Sequence, residues 1–203
     1  MGDSRAETPA VFCNDVQIAM DKRDIRRKIK AMKQMLLESE KAEAAERAFA
    51  RLEETAAFIM AERILMYHSL PDELSTHGFL RKWGSRKHFY LPRVNGVNLD
   101  ILPYEESRLE LGAFHIEEPT GNDTVSADDI ELVIVPAVAF DRKGNRLGRG
   151  KGFYDRLLSE TKATKIGIAY EFQIVDEIPV EPHDVAMDIV ISPDSCTVVR
   201  SKK

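Results

Sequence analysis

The stretch that most limits how this chain can fold runs from Leu132 to Leu158. It opens on an apolar run, Leu132-Val133-Ile134-Val135-Pro136-Ala137-Val138-Ala139-Phe140. A short run rich in β-branched residues reads as a strand buried on both faces. Gly144, Gly148, Gly150 and Gly152 then fall close together, with Arg142, Lys143, Arg146, Arg149 and Lys151 among them. Phe153, Leu157 and Leu158 follow at helical spacing, with Asp155 in the expected first turn. The order is strand, glycine-rich loop, helix.

That order suits an anion. Glycines let the backbone take positive φ and approach a ligand without a Cβ in the way. A helix start offers unpaired N–H groups and partial positive charge. Arginines add rigid forks of donors and Lys151 a mobile point charge. The residues alone also fit a solvated basic loop that only turns the chain. Two common phosphate patterns are excluded. A P-loop would need glycine at Asn145 and Ser or Thr at Gly152, and a dinucleotide turn from Gly148 and Gly150 would need glycine at Phe153.

The rest of the chain reads as alternating helices and strands. Residues 1–14 show no periodicity and read as a loose tail, leaving a single domain over 15–203. Ile18, Ile25, Ile29, Met32 and Leu36 predict a helix from Asp15, densely basic between the apolar positions. Such a run is ordinarily a solvated face. Its sharper reading is a second wall for a polyanion. Ser39 is the expected N-cap of a second helix reaching Ala61. Strands are expected at Arg63–His68, Lys87–Arg93 (ended by Pro92), Leu99–Tyr104, Lys165–Tyr170 and, last, Asp188–Ile191, with a short helix over Thr76–Trp83. The acidic segment from Glu105 to Asp129 reads as loop. The expected class is α/β: one domain with a largely parallel or mixed sheet flanked by helices in Rossmann-like layers.

Other chemistries find little support. The formal net charge of −5 argues against general nucleic-acid binding. Cys13 and Cys196 make neither a disulfide framework nor a zinc spacing, and a reducing cytosol fits them best. No apolar run reaches membrane-spanning length, and the N-terminus does not read as a signal peptide. His68, His77, His88, His115 and His183 form no closely spaced metal motif. No nucleophile elbow is present, so covalent catalysis by the protein is not expected.

The stretch Asp141-x-x-Gly-Asn-Arg-Leu-Gly-Arg-Gly-Lys-Gly-Phe-Tyr-Asp155 resembles the signature of the 5-formyltetrahydrofolate cyclo-ligase family, and the likeness extends from about Asp21 to about Ile191. Further matches are Lys22-Arg23-Asp24-Ile25-Arg26, with Ile for the usual Leu, and Tyr170-Glu171-Phe172-Gln173-Ile174, with Tyr for Phe. The His183-Asp184 pair also matches. Departures are Phe114-His115 where a tryptophan and a small or polar residue are usual, and Ala137 for a glycine. The resemblance implies ring closure of 5-formyltetrahydrofolate to 5,10-methenyltetrahydrofolate by a monomer, with ATP as co-substrate and Mg2+. It implies nucleotide contacts from Lys22, Arg23, Arg26 and the loop Arg146, Leu147, Gly148, Arg149, Gly150, Lys151, Gly152, Phe153 and Tyr154. It gives the folate to Glu73, His68 and Phe114, together with Arg149, Gly150, Lys151, Gly152 and Phe153. Arg146, Arg149, Lys151 and Tyr154 would act in catalysis, and Asp155 and Asp184 would hold the metal. From the residues alone, Asp155 also fits a plain helix-start carboxylate. Another ATP-dependent ligase or phosphotransferase, or a non-catalytic nucleotide- or folate-binding module, stays open.

Overall fold

The computed structural model describes residues 20–112 and 116–199. Its frame is a seven-stranded mixed sheet. The strands are β1 (Arg63–Leu65), β2 (His88–Asn95), β3 (Asn98–Pro103), β6 (Leu132–Val135), β9 (Thr164–Ile168), β11 (Ile189–Ile191) and β12 (Cys196–Val198). Their order is β12-β11-β9-β6-β1-β2-β3. The middle of the sheet is parallel, and an antiparallel strand closes each edge, β12 on β11 and β3 on β2.

β6 shows why the sheet is buried on both faces. All four residues are fully covered. Leu132 and Ile134 join one core cluster, Val133 and Val135 the other, as a period of two requires. The first cluster packs under α2 (Glu38–Glu53), α3 (Ala56–Met60) and α4 (His77–Trp83), through residues such as Phe49, Leu52, Phe58 and Phe79. The second packs under α5 (Phe153–Ser159) through Leu157 and Leu158. Helices on both faces give the layered α/β class read from the sequence.

The expected strand Leu132–Phe140 is two strands in two sheets. Pro136 lacks the N–H needed to continue a central ladder. The chain leaves the main sheet there and re-forms as β7 (Ala139–Asp141) in a small sheet with β8 (Arg146–Leu147) and β10 (Ile174–Val175). Gln173, 2% exposed, donates to Ala137 O and Val138 O at 2.9 and 2.8 Å, so it satisfies the carbonyls released by this crossing.

α1 (Lys22–Gln34) packs on the small sheet and not on the main one: Ile25 and Ile29 lie against Ala139, Leu147 and Ile178. It begins at its N-cap Asp21, whose side chain accepts from Asp24 N at 2.7 Å, while Asp15 and Ile18, where the expected helix would start, lie outside the described residues. The single helix expected from Ser39 to Ala61 is α2 and α3, because Thr55 caps a new start through Phe58 N. Ser39 lies inside α2, and Leu37 occupies the N-cap position. Pro92 lies within β2 and does not end it. β1 pairs only as far as Tyr90, so a missing donor at Pro92 breaks no ladder on that side. The segment after Glu105 is mostly loop but holds one hairpin, β4 (Leu109–Leu111) with β5 (Glu117–Pro119). Cys196 lies on edge strand β12.

Candidate active site

The glycine-rich loop is built on a buried carboxylate. Asp141 is fully covered and accepts from Lys143 N, Asn145 N and Asn145 Nδ2 at 2.8–2.9 Å and from Ile178 N at 3.2 Å. These bonds close the turn between β7 and β8 and hold it to the segment before Glu181. Gly144 occupies that turn at φ +83, where a Cβ would lie 2.6 Å from Met187 O. Beyond β8, Gly150 and Gly152 take φ of +95 and +71, a region that disfavours other residues. Gly152 then begins α5. That helix has seven residues, so its dipole is short and a hold on an anion here would have to come from side chains.

Arg146 is the surprise of the loop. It is 7% exposed, not an open donor. Its Nη2 donates to Asp155 Oδ1 at 2.5 Å, and its guanidinium lies 5.6 Å from the Tyr154 ring centre. Its Nε is buried without a partner among the described residues. A Cβ at Gly148 would lie 2.8 Å from its Nη1, so the guanidinium packs directly against this glycine. α1 grips the same point, with Arg26 Nε donating to Gly148 O at 3.0 Å.

Two cavities flank this loop. One, of about 570 Å3, is a charged basin lined by Lys22, Arg23 and Arg26 from α1, by Leu147 and Gly150, and by Asp155, Glu181 and Asp184. Lys22 Nζ meets Asp184 Oδ2 at 2.8 Å and Glu181 Oε1 at 3.0 Å. Burial works against the Asp184 charge, but Lys22 and the Glu181 N–H outweigh it and hold the carboxyl below its usual value. The other cavity, of about 380 Å3, is mostly apolar. The β2–β3 hairpin gives it Pro92, Val94 and Leu99, and the crossing after β6 gives Pro136 and Ala137. Its polar groups include Glu73, His68, Glu117, Arg149 and Lys151, with Tyr154 and Phe153 beside them. Both sizes lie within the ~300–1,000 Å3 common for small-molecule sites. Arg146 and Gly148 line both cavities, so the loop is the partition between them.

Glu73 does not cap α4, which starts four residues later at His77. Its Oε2 accepts from Leu70 N and its Oε1 from Arg149 Nη2, both at 3.1 Å, and its side chain is 11% exposed. His68 stacks on His77 with ring centres 4.3 Å apart and holds Glu117 Oε2 at 3.2 Å from Nδ1. Burial, then His77, lowers its pKa against the pull of Glu117. Burial keeps the Tyr154 phenol protonated well beyond its usual range. Burial and Asp72 push Tyr170 up to about 12.

The expected nucleotide residues therefore divide. Lys22, Arg23, Arg26, Arg146, Leu147, Gly148 and Gly150 line the basin, whereas Arg149, Lys151, Phe153 and Tyr154 line the cleft. Gly152 shapes the backbone and lines neither. Asp155 and Asp184 do converge on one cavity. Phe114 lies outside the described residues. Sequence reasoning missed Asp72, which accepts from Arg149 at 2.7 Å, and the apolar hairpin wall. Asp72 carried no signal beyond adjacency to Glu73, and the wall only a strand-like pattern.

The profile of the 5-formyltetrahydrofolate cyclo-ligase family matches residues 18–193. The 5-formyltetrahydrofolate cyclo-ligase of Escherichia coli (strain K12) is 31% identical over 175 residues, which cover 81% of this chain and 96% of that protein. The mouse (Mus musculus) protein of the same name is 30% identical over 152 residues, covering 66% and 75%. The 5,10-methenyltetrahydrofolate synthetase structure from Aquifex aeolicus superposes with a TM-score of 0.82 at 30% identity, over 91% of this chain and 95% of that one. On this fold, loop and pair of cavities, the chain belongs to the 5-formyltetrahydrofolate cyclo-ligase family.

Proposed function

We propose that the basin takes the polyphosphate of ATP against Lys22, Arg23, Arg26 and Arg146, and that the cleft takes the folate with its pterin on Glu73. The reaction is ATP-dependent closure of 5-formyltetrahydrofolate to 5,10-methenyltetrahydrofolate, releasing ADP and phosphate. The formyl oxygen is a poor leaving group. Transfer of the γ-phosphoryl group to it, with cleavage of the bond to ADP, makes it a good one. The neighbouring folate amine attacks the formyl carbon, and phosphate departs with that oxygen. Both nucleophiles belong to the substrate, so the protein positions the reactants and neutralises charge.

The observation that carries the reading is the shared partition. A phosphoryl group crossing from basin to cleft passes Arg146 and Gly148, which border both. Arg149 and Lys151 stand on the receiving side and would stabilise charge on the moving group. Tyr154, neutral and packed on Arg146, helps shut the site from water. One chain supplies both cavities, which supports a monomer as the working unit. Asp155 and Asp184 fit Mg2+ only as partners of a phosphate-bound ion. Asp155 spends one carboxylate oxygen on Arg146, Asp184 spends one on Lys22 and has the other 3.8 Å from His183 Nε2, and no cluster of three or more ligating side chains exists among the described residues. Mg2+ there would neutralise phosphate charge when bound.

The test is absorbance of the methenyl chromophore formed from 5-formyltetrahydrofolate, ATP and Mg2+. Lys151→Ala should cut turnover about 10²-fold, the size expected for one charge-stabilising donor. ATP-independent product, or near-normal Lys151→Ala turnover at saturation, would contradict the assignment.

A further inference from the structure

The buried stripe of α1 ends on a charge. Ile25, Ile29 and Lys33 recur every four residues, and Lys33 is 8% exposed. A buried ammonium needs a partner, because an unpaired charge there is costly. Its hydrogen-bond partner among the described residues is Asp72, whose Oδ2 lies 3.3 Å from Nζ. The other oxygen of that carboxylate accepts from Arg149 Nη2 at 2.7 Å, and the same Nη2 donates to Glu73 Oε1 at 3.1 Å. A line of alternating charge thus runs Lys33, Asp72, Arg149, Glu73. It joins the helix that supplies Lys22 and Arg26 to the carboxylate of the cleft.

The members differ in freedom. Lys33 is fixed by burial and fixes one side of Asp72. Arg149 is half exposed and its guanidinium is able to turn. Glu73 already has both oxygens occupied, one by Leu70 N and one by Arg149. A pterin that donates to Oε1 adds a second donor to that oxygen, crowding Arg149 and weakening its 3.1 Å bond. Once displaced, Arg149 keeps only a half-exposed pair with Asp72, a weak hold. A phosphate is the better partner for its fork of donors.

We propose that Asp72, anchored by Lys33, is a positioning residue that parks Arg149 beside Glu73 in the empty site, and that folate arriving at Glu73 releases Arg149 to the nucleotide phosphates. This rests on the functional reading above. The two substrates then tighten each other, by the same factor in either order of addition.

The experiment is calorimetric titration of the intact protein with a β,γ-imido analogue of ATP, with and without saturating 5-formyltetrahydrofolate. In the unaltered protein folate should tighten the nucleotide about tenfold, within the usual range for coupled sites. Asp72→Asn removes a negative charge and so tightens the nucleotide under both conditions, but the coupling factor should fall to about twofold or less. The double variant Lys33→Met/Asp72→Asn removes the buried ammonium together with its partner, and should lose the coupling in the same way without leaving an orphaned charge. Full coupling retained in both folded variants, or no coupling in the unaltered protein, overturns the proposal. Absence of methenyl product from the unaltered protein, by contrast, refutes the functional reading itself.

Discussion

The basin and the cleft share a wall but are made in different ways. The basin is assembled from two contiguous pieces of chain, the start of α1 and the glycine-rich loop, with one acidic segment added. Its groups are charged and mostly paired with each other, as Lys22 is with Asp184 and Arg146 with Asp155. The cleft draws on the end of β1, the β2–β3 hairpin, β5, the β6–β7 crossing and the loop. Its walls are mostly apolar, with polar groups set into them as a few pairs, such as Glu73 with Arg149 and His68 with Glu117. A flat ring needs an apolar slot with one or two fixed partners, whereas a polyphosphate needs many adaptable cations. On the proposed assignment of ATP to the basin and folate to the cleft, the difference in construction follows from the ligands.

That comparison is broken most severely at the shared base. Asp141→Ala should strand four buried or partly buried donors and cost about 2–4 kcal/mol of stability, with loss of both sites. Chemical denaturation with ligand titration checks this. A stable protein that keeps either site would show that the loop holds itself.

The next effect belongs to the basin alone. Asp155→Asn and Asp184→Asn should each move the Mg2+ midpoint of turnover upward several-fold at fixed ATP, as loss of one carboxylate ligand requires. The folate Michaelis constant should not move. Unchanged midpoints in both variants would leave the metal to phosphate and water.

The smallest effect belongs to the cleft. His68 has a lowered pKa, through burial first and His77 second, with Glu117 and Glu106 opposing. A histidine whose folded pKa is lowered contributes stability that is fully present above its unfolded value of about 6.5 and is lost as pH falls through that region. His68→Gln should flatten this acid loss, measured as melting temperature between about pH 5 and 7. An unchanged slope would assign it elsewhere.

The same contrast explains what the sequence disclosed. The basin was legible because its residues are neighbours in the chain and its glycines punctuate a buried strand. Even there, burial of Arg146 and its bond to Asp155 could not be seen, since both depend on how the guanidinium packs against Gly148. The alternation of strands with helices along the chain announced the layers, and the unbroken apolar run of β6 its burial on both faces. The break at Pro136 was missed because apolar content continues through Phe140 while backbone donors do not. The cleft was nearly silent. Val94, Leu99 and Pro136 are ordinary strand residues until topology brings them together, and the resemblance alone pointed to Glu73 and His68 and to Arg149, Lys151 and Phe153 as folate residues.

The most direct test crosses two titrations in the methenyl absorbance assay, varying ATP and folate independently in one variant from each cavity. Arg23 lines only the basin and Val94 only the cleft. Arg23→Ala should raise the Michaelis constant for ATP about tenfold and that for folate less than about twofold, since uniform binding is what it removes. Val94→Asp should do the reverse, raising the folate constant about tenfold or more by setting a charge in the apolar slot. Equal shifts of both constants in both variants would contradict two separate sites divided by the loop.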